Sequence, residues 1–226
     1  MNDIASSKRR LILLPTPLET RLLLASPAAS EDESGIPEWI GADAVVDSCG
    51  CGLASAGVLA ARHIARSAPD HVLLLGLAGS LDLDRAPVGT AVLGTHVTVQ
   101  GLGAGQGPRH VSLEAMGFQA LPGASRSTLA LDAPCVGLLR GAMVSVAAAS
   151  AGPEEARAVA AAHPDALIED METWSVALAA HLAGVPLTVL RAVSNPAGVR
   201  DKSAWRMDAA AEAMRTGLKT LFGILS

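Results

Sequence analysis

Carboxylates, an amide and glycines cluster directly after short apolar runs in this chain of 226 residues. Glu19 follows the run at 11–15, Glu172 the run at 166–168, and Asn195 the run at 187–193. A carboxylate at the end of a strand can act as a general base at neutral pH when it is partly buried. Glu19 is such a candidate, although on an early helix it is equally a solvent-exposed acid. Glu172 lies among Met171, Trp174, Ser175 and Leu178, a stripe that reads as buried. A buried carboxylate needs partners, and a ligand or a structural hydrogen bond would serve. Asn195 offers two N–H donors and one acceptor, and is also a natural turn residue before Pro196.

These groups need a scaffold that brings strand ends together. Continuous apolar runs at 11–15, 44–48, 72–77, 91–99, 143–149, 166–168 and 187–193 read as strands covered on both faces. Helical patterns fill 16–24, 54–65, 153–162 and 171–183, and a last one begins near Ser203. Pro153 with Glu154 and Glu155 is a strong helix start. The order predicts an α/β fold, a single three-layer α/β/α domain over 1–226 with a central mixed sheet and residues 1–9 as a flexible tail. In such sheets ligands bind at the carboxyl ends of the strands. The acidic, Ser- and Pro-containing segment 28–40 reads as a surface loop, and the glycine-rich segment 100–109 as a flexible one.

Composition narrows the partners. Aromatic residues make up 2% of the chain and the net charge is −5, which argues against base-stacking platforms and against attraction to phosphate backbones or acidic membranes. Cys49 and Cys51 have one residue between them and no matching pair follows, so small thiols are expected and not a metal site. Gly50-Cys51-Gly52 lacks the third glycine of a dinucleotide fingerprint and equally suits a tight strand-to-helix turn. The apolar stretch at 11–14 is too short for a signal-peptide core or a membrane span. A cytoplasmic location and no cofactor are expected.

Taken in order, these segments resemble one family. Gly76-Leu77-Ala78-Gly79-Ser80-Leu81 followed by Val88-Gly89-Thr90, then Met171-Glu172-Thr173-Trp174-Ser175, then Arg191-Ala192-Val193-Ser194-Asn195 are similar to the motifs of the nucleoside phosphorylase and nucleosidase superfamily, with Thr90 where the family has Asp. The segment Ser194-Asn195-Pro196-Ala197-Gly198-Val199-Arg200-Asp201 with Trp205 looks like the corresponding pattern of futalosine hydrolases, nucleosidases of menaquinone biosynthesis that release hypoxanthine. The resemblance spans residues 10–224.

The resemblance implies cleavage of the N-glycosidic bond of a purine nucleoside, a small-molecule substrate, and a homo-oligomer built on dimers. It assigns Glu19 to the attacking water and Asn195 to the leaving base as catalytic residues. Met171 and Glu172 would bind the ribose, and Ala78, Gly79, Ser80, Val146 and Ser194 would line the base or substrate. Asn195, where related methylthioadenosine nucleosidases carry Asp, favours a 6-oxopurine. No stacking aromatic is evident near Val146, which leaves Trp39, Phe118, aliphatic side chains or a partner subunit for the base. Trp174 replaces a small residue and reads chiefly as core. The GLAGSL segment has no adjacent Arg, with Arg21 and Arg109 as possible substitutes, so hydrolysis is expected over phosphorolysis. A methylthioadenosine/S-adenosylhomocysteine nucleosidase and a non-catalytic nucleoside-binding protein are the alternatives.

Overall fold

The computed structural model describes residues 9–24, 44–105, 107–120 and 127–223. The expected loop at 28–40, with Trp39, and residues 1–8 of the expected tail lie outside them. Arg9 is tied down, since its backbone N–H donates to the Asp70 carboxylate and its carbonyl accepts from the Asp70 N–H.

The elements run β1 (Arg10–Leu14), α1 (Pro17–Leu24), β2 (Ala44–Ser48), α2 (Leu53–Ser67), β3 (His71–Ser80) and β4 (Ala91–Val99). The short strands β5 (Gly103–Ala104), β6 (Val111–Ser112) and β7 (Thr128–Ala130) follow, then β8 (Leu139–Ser145), α3 (Pro153–Ala162), β9 (Ala166–Asp170), α4 (Thr173–Ala183), β10 (Leu187–Pro196) and α5 (Met207–Leu221). The mixed sheet runs β10-β4-β8-β9-β3-β1-β2, and β10 also pairs with β3. β3 is the hub. Its first part lies between β1 and β10, both parallel to it. Its last two residues outrun β1 and pair with β9 in antiparallel register, Gly79 opposite Glu169 and Ser80 opposite Ile168.

Alternation along the strands divides the core. Leu11, Leu13, Val72, Leu74 and Val189 pack with Ala56, Ala60 and Ile64 of α2 and Val176 and Ala180 of α4. Ile12, Leu14, Leu73, Leu75 and Leu190 pack with Leu23 of α1 and Ala211, Met214 and Leu218 of α5. The period-2 sorting of adjacent leucines onto opposite faces is what a strand covered on both sides requires.

Several boundaries differ from the sequence expectation. β2 is an edge strand whose residues alternate between half-buried and exposed, so it is not covered on both faces. β8 begins at Leu139 and ends at Ser145, and Gly141 within it leaves room for Leu167 of the next strand. The glycine-rich segment carries β5, which pairs with β6 just beyond it. The last helix starts at Met207, after a single 3₁₀ turn at Lys202–Ala204. α4 starts at Thr173, which leaves Met171 and Glu172 on the bend between β9 and the helix and not within it.

Candidate active site

A cavity of about 360 Å³ opens where the ends of β1, β3, β9 and β10 meet. It is lined by Glu19, Ala78, Gly79, Val146, Met171, Glu172, Ser194 and Asn195 among others. Nearly all the residues singled out in the sequence therefore converge. Ser80 does not line it. Its Oγ donates to the Ala86 carbonyl at 2.7 Å, so it closes the loop after β3, and Leu77, Ala78 and Gly79 supply that wall. A larger hollow, about 510 Å³, lies by His110 and His163 and carries none of the candidate residues; convergence of carboxylates distinguishes the smaller one.

Glu19 is buried, not solvent-exposed. Its Oε1 accepts the Leu77 N–H at 3.0 Å and its Oε2 accepts the Thr16 Oγ hydrogen at 2.9 Å. The first turn of α1 and the end of β3 thus hold the carboxylate in place. Thr16 Oγ1 also accepts the Glu19 N–H and so caps the helix that carries it.

Glu172 is held from the other side. Gly52 has a φ of 85°, which turns its N–H onto Glu172 Oε1 at 3.0 Å across 120 residues of sequence. The Gly50–Gly52 stretch is thus the tight strand-to-helix turn, and its use is to present that amide. Arg191 Nη2 lies 3.4 Å from Glu172 Oε2. Burial lifts the Glu172 carboxyl above its ordinary value, although Arg191 pulls it down.

Arg191 opens one of the motifs quoted above, but it has no role among the expected site residues. It sits fully buried in β10, and the signal available was an arginine inside the otherwise apolar run LTVLRAVS. Asp170 Oδ2 takes its Nη2 at 2.7 Å, and Thr173 Oγ1 accepts from Nε and Nη2. Asp170 also accepts from Ser145 Oγ at 2.5 Å and from the Thr173 N–H and hydroxyl. Burial works against the Arg191 charge, but Asp170, Glu172 and Glu19 together raise its pKa above the ordinary value. A side chain at residue 76 would overlap Arg191 Nη1, with Glu19 Oε1 close behind; glycine there gives the guanidinium its room.

Asn195 lines the cavity with its amide partly engaged. Oδ1 accepts the Ser194 hydroxyl at 2.7 Å, while Nδ2 donates to the Pro196 carbonyl at 2.8 Å and reaches the Val199 carbonyl at 3.5 Å. β10 bulges between Val193 and Asn195 against β3, so Ser194 and Asn195 both line the cavity. Glu169, Arg200, Lys202 and Trp205 line it as well. Among the described residues, Trp205 is the aromatic that reaches this cavity, held by its Nε1 on the Val199 carbonyl with Arg200 over its ring. Phe118 is 62% exposed and does not line it, and neither do Arg21 and Arg109. Trp174 is core: it is buried and its Nε1 donates to the Ser127 carbonyl.

A sequence profile described as the phosphorylase superfamily matches residues 9–226. A futalosine hydrolase of Thermus thermophilus is 35% identical over 221 residues, 93% of this chain and 94% of that protein. A futalosine hydrolase of Streptomyces coelicolor is 34% identical over 159 residues, 69% of this chain and 66% of that protein. Among solved structures, a 5′-methylthioadenosine/S-adenosylhomocysteine nucleosidase from Colwellia psychrerythraea in complex with adenine aligns with a TM-score of 0.73 over 96% of both chains at 19% identity. At that identity the likeness is one of fold.

Proposed function

This chain belongs to the phosphorylase superfamily, and we propose that within it the protein is a nucleosidase that hydrolyses futalosine or a closely related 6-oxopurine nucleoside. The observation that carries the reading is the fixed pair of carboxylates, Glu19 on the Leu77 amide and Glu172 on the Gly52 amide, facing one cavity. The identity to futalosine hydrolases over nearly the whole chain supports the substrate class.

In this reading the ribose lies on Met171 with its hydroxyls donating to Glu172. Those hydrogen bonds strengthen as the sugar gains positive charge, so they favour the transition state over the ground state. Water bound to Glu19 attacks the anomeric carbon. The new C–O bond forms as the C–N bond breaks, the water proton passes to Glu19, and the purine leaves with the bonding pair and takes a proton from solvent on nitrogen; Glu19 then returns its proton to solvent. Ala78 and Gly79 wall the anomeric side. Val146, Met171 and Trp205 offer the apolar surface for the base.

The charge balance supports water over phosphate. Arg191 Nη2 is bound to Asp170 and Glu172, so the cation nearest the carboxylates is already neutralised. An anionic nucleophile would face the charges of Glu19 and Glu172, with Arg200 and Lys202 as the cations of the cavity lining outside that network. Arg200 and Lys202 belong to the loop after β10 and not to the GLAGSL strand end. The same reading carries a cytoplasmic, dimer-based oligomer. Val58 and Leu182, 70% and 69% exposed, support a contact between copies, to be checked by light scattering. The activity is tested by incubation with futalosine, inosine and methylthioadenosine, with and without phosphate. Hypoxanthine release independent of phosphate is expected; release that needs phosphate and forms a sugar phosphate overturns the hydrolase assignment.

A further inference from the structure

The cleavage chemistry leaves one buried acid of the cavity without a task. Glu169 is 4% exposed, lines the same cavity as Asn195, and forms no ion pair among the described residues. The sheet places it. Gly79 at the end of β3 pairs with Asn195 of β10 on one side and with Glu169 of β9 on the other. Two strand spacings separate the flanking residues, about 10 Å, and Gly79 between them lines the cavity, with Ala197 packed against the side where a Cβ would stand. The loops that carry their partners touch: Gly198 packs against Gly152 too closely for a side chain.

Asn195 alone cannot read the whole edge of a purine. One of its two N–H groups is committed to the Pro196 carbonyl at 2.8 Å, and the other has only the Val199 carbonyl at 3.5 Å. One donor therefore remains for the base. On the opposite side, both Glu169 oxygens are held from one direction, Oε1 by the Ser150 N–H at 3.1 Å and Oε2 by the Ser150 hydroxyl at 2.6 Å. A carboxylate has about four lone-pair sites, so roughly half remain for the cavity.

We propose that Glu169 is a specificity-determining residue that accepts the N1–H of a 6-oxopurine while Asn195 donates to its opposite edge. The inference rests on the nucleosidase reading for the identity of the ligand as a purine. A 6-oxopurine carries a hydrogen at N1. A 6-aminopurine carries a lone pair there, which would face an acceptor-only carboxylate in a buried place. That mismatch disfavours the 6-aminopurine by roughly tenfold to a hundredfold.

Ser150 makes the test sharp. In Glu169→Gln the amide oxygen keeps the Ser150 N–H while the NH2 group takes the place of Oε2 beside the Ser150 hydroxyl, so one of the two acceptor oxygens becomes a donor. Calorimetric titration with free hypoxanthine and free adenine reads the outcome without turnover. The hypoxanthine-to-adenine affinity ratio is expected to fall at least tenfold in Glu169→Gln. An equal loss for both bases, or an unchanged ratio, overturns the proposal and reduces Glu169 to a tether for the Ser150 loop. A measurement on the unaltered protein covers a variant that does not fold: 1-methylhypoxanthine, which lacks N1–H, is expected to bind at least tenfold more weakly than hypoxanthine, and equal binding overturns the proposal. Base binding with this preference but no nucleoside cleavage would sink the hydrolase assignment and leave Glu169 as the reader of N1–H.

Discussion

Arg191 Nη2 lies 2.7 Å from Asp170 Oδ2, and both side chains are fully shut off from solvent. Removing one partner from such a pair leaves the other charged and dry, at a cost of about 3–5 kcal/mol. Arg191→Leu would also set Asp170 and Glu172 side by side without a cation. Thermal unfolding of this variant is expected to shift down by about 10 °C. A shift within a degree or two would mean that the pair contributes little and that the site tolerates its two acids unaided.

Glu19→Gln is expected to keep the fold and lose the chemistry. A glutamine oxygen can still accept the Leu77 amide that Glu19 now holds, but it cannot take a proton from water. Steady-state assays should show kcat lower by about 10²–10⁴-fold, with a melting temperature close to that of the unaltered protein. Near-normal turnover would remove Glu19 from the mechanism.

The acid limb of the pH profile should belong to Glu172. Burial raises its carboxyl above the ordinary 4.5, against the pull of Arg191, and in the proposed reaction the ribose hydroxyls need its ionised form. As the pH falls through the raised value the group takes up a proton and kcat/KM declines, so the limb lies above 4.5. Stability has the opposite sign. The folded state favours the protonated acid, so the contribution of this group is fully present at low pH and is lost as the pH rises through the folded value. Residual activity of Glu172→Gln should lack the limb. A limb at or below 4.5 in the unaltered protein would contradict this assignment.

The cysteines report on the cavity. Burial holds the Cys49 thiol up to about 12, whereas Cys51 and Cys135 are exposed. Cys51 lines the cavity, and partial burial followed by Glu172 raises its thiol. Thiolate is the reactive form, so alkylation of Cys51 should be slow at neutral pH, speed up with alkali, and be blocked by a bound non-cleavable purine nucleoside whose ribose covers Glu172. Cys135 should react whether or not the nucleoside is present, and Cys49 only after unfolding. Peptide mass spectrometry reads all three, and unprotected Cys51 in the presence of saturating nucleoside analogue would place the ribose elsewhere.

The strands and helices that carry the site were legible because their apolar runs are continuous and their ends are marked by glycine, proline and acids. Glu172 stood out by its buried neighbourhood, and the cavity confirms its partners in Gly52 and Arg191. The rest depends on distance in sequence. Nothing near Arg191 indicates that Asp170 will neutralise it, and Glu169 reads as one more acid in the run IEDME until β9 is paired with the end of β3. Ser80 was misplaced for the same reason: its motif points to the site, while its hydroxyl is drawn to Ala86, six residues on. The half-exposed face of β2 follows from its place at the sheet edge, which composition does not encode.

The bulge in β10 between Val193 and Asn195 constrains how this site can diversify. A regular strand would send Ser194 and Asn195 to opposite faces, whereas the extra residue keeps both at the cavity wall. Insertions or deletions anywhere from Arg191 to Asn195 would rotate Asn195 away from the cavity wall beside Gly79 or pull the guanidinium from its acids. Replacement of one side chain at 195 leaves the strand geometry intact. In descendants of this sequence, shifts of base preference should therefore arise by point substitution at the sheet end, while length variation is confined to segments such as the loop beyond residue 100 that the chemistry does not touch.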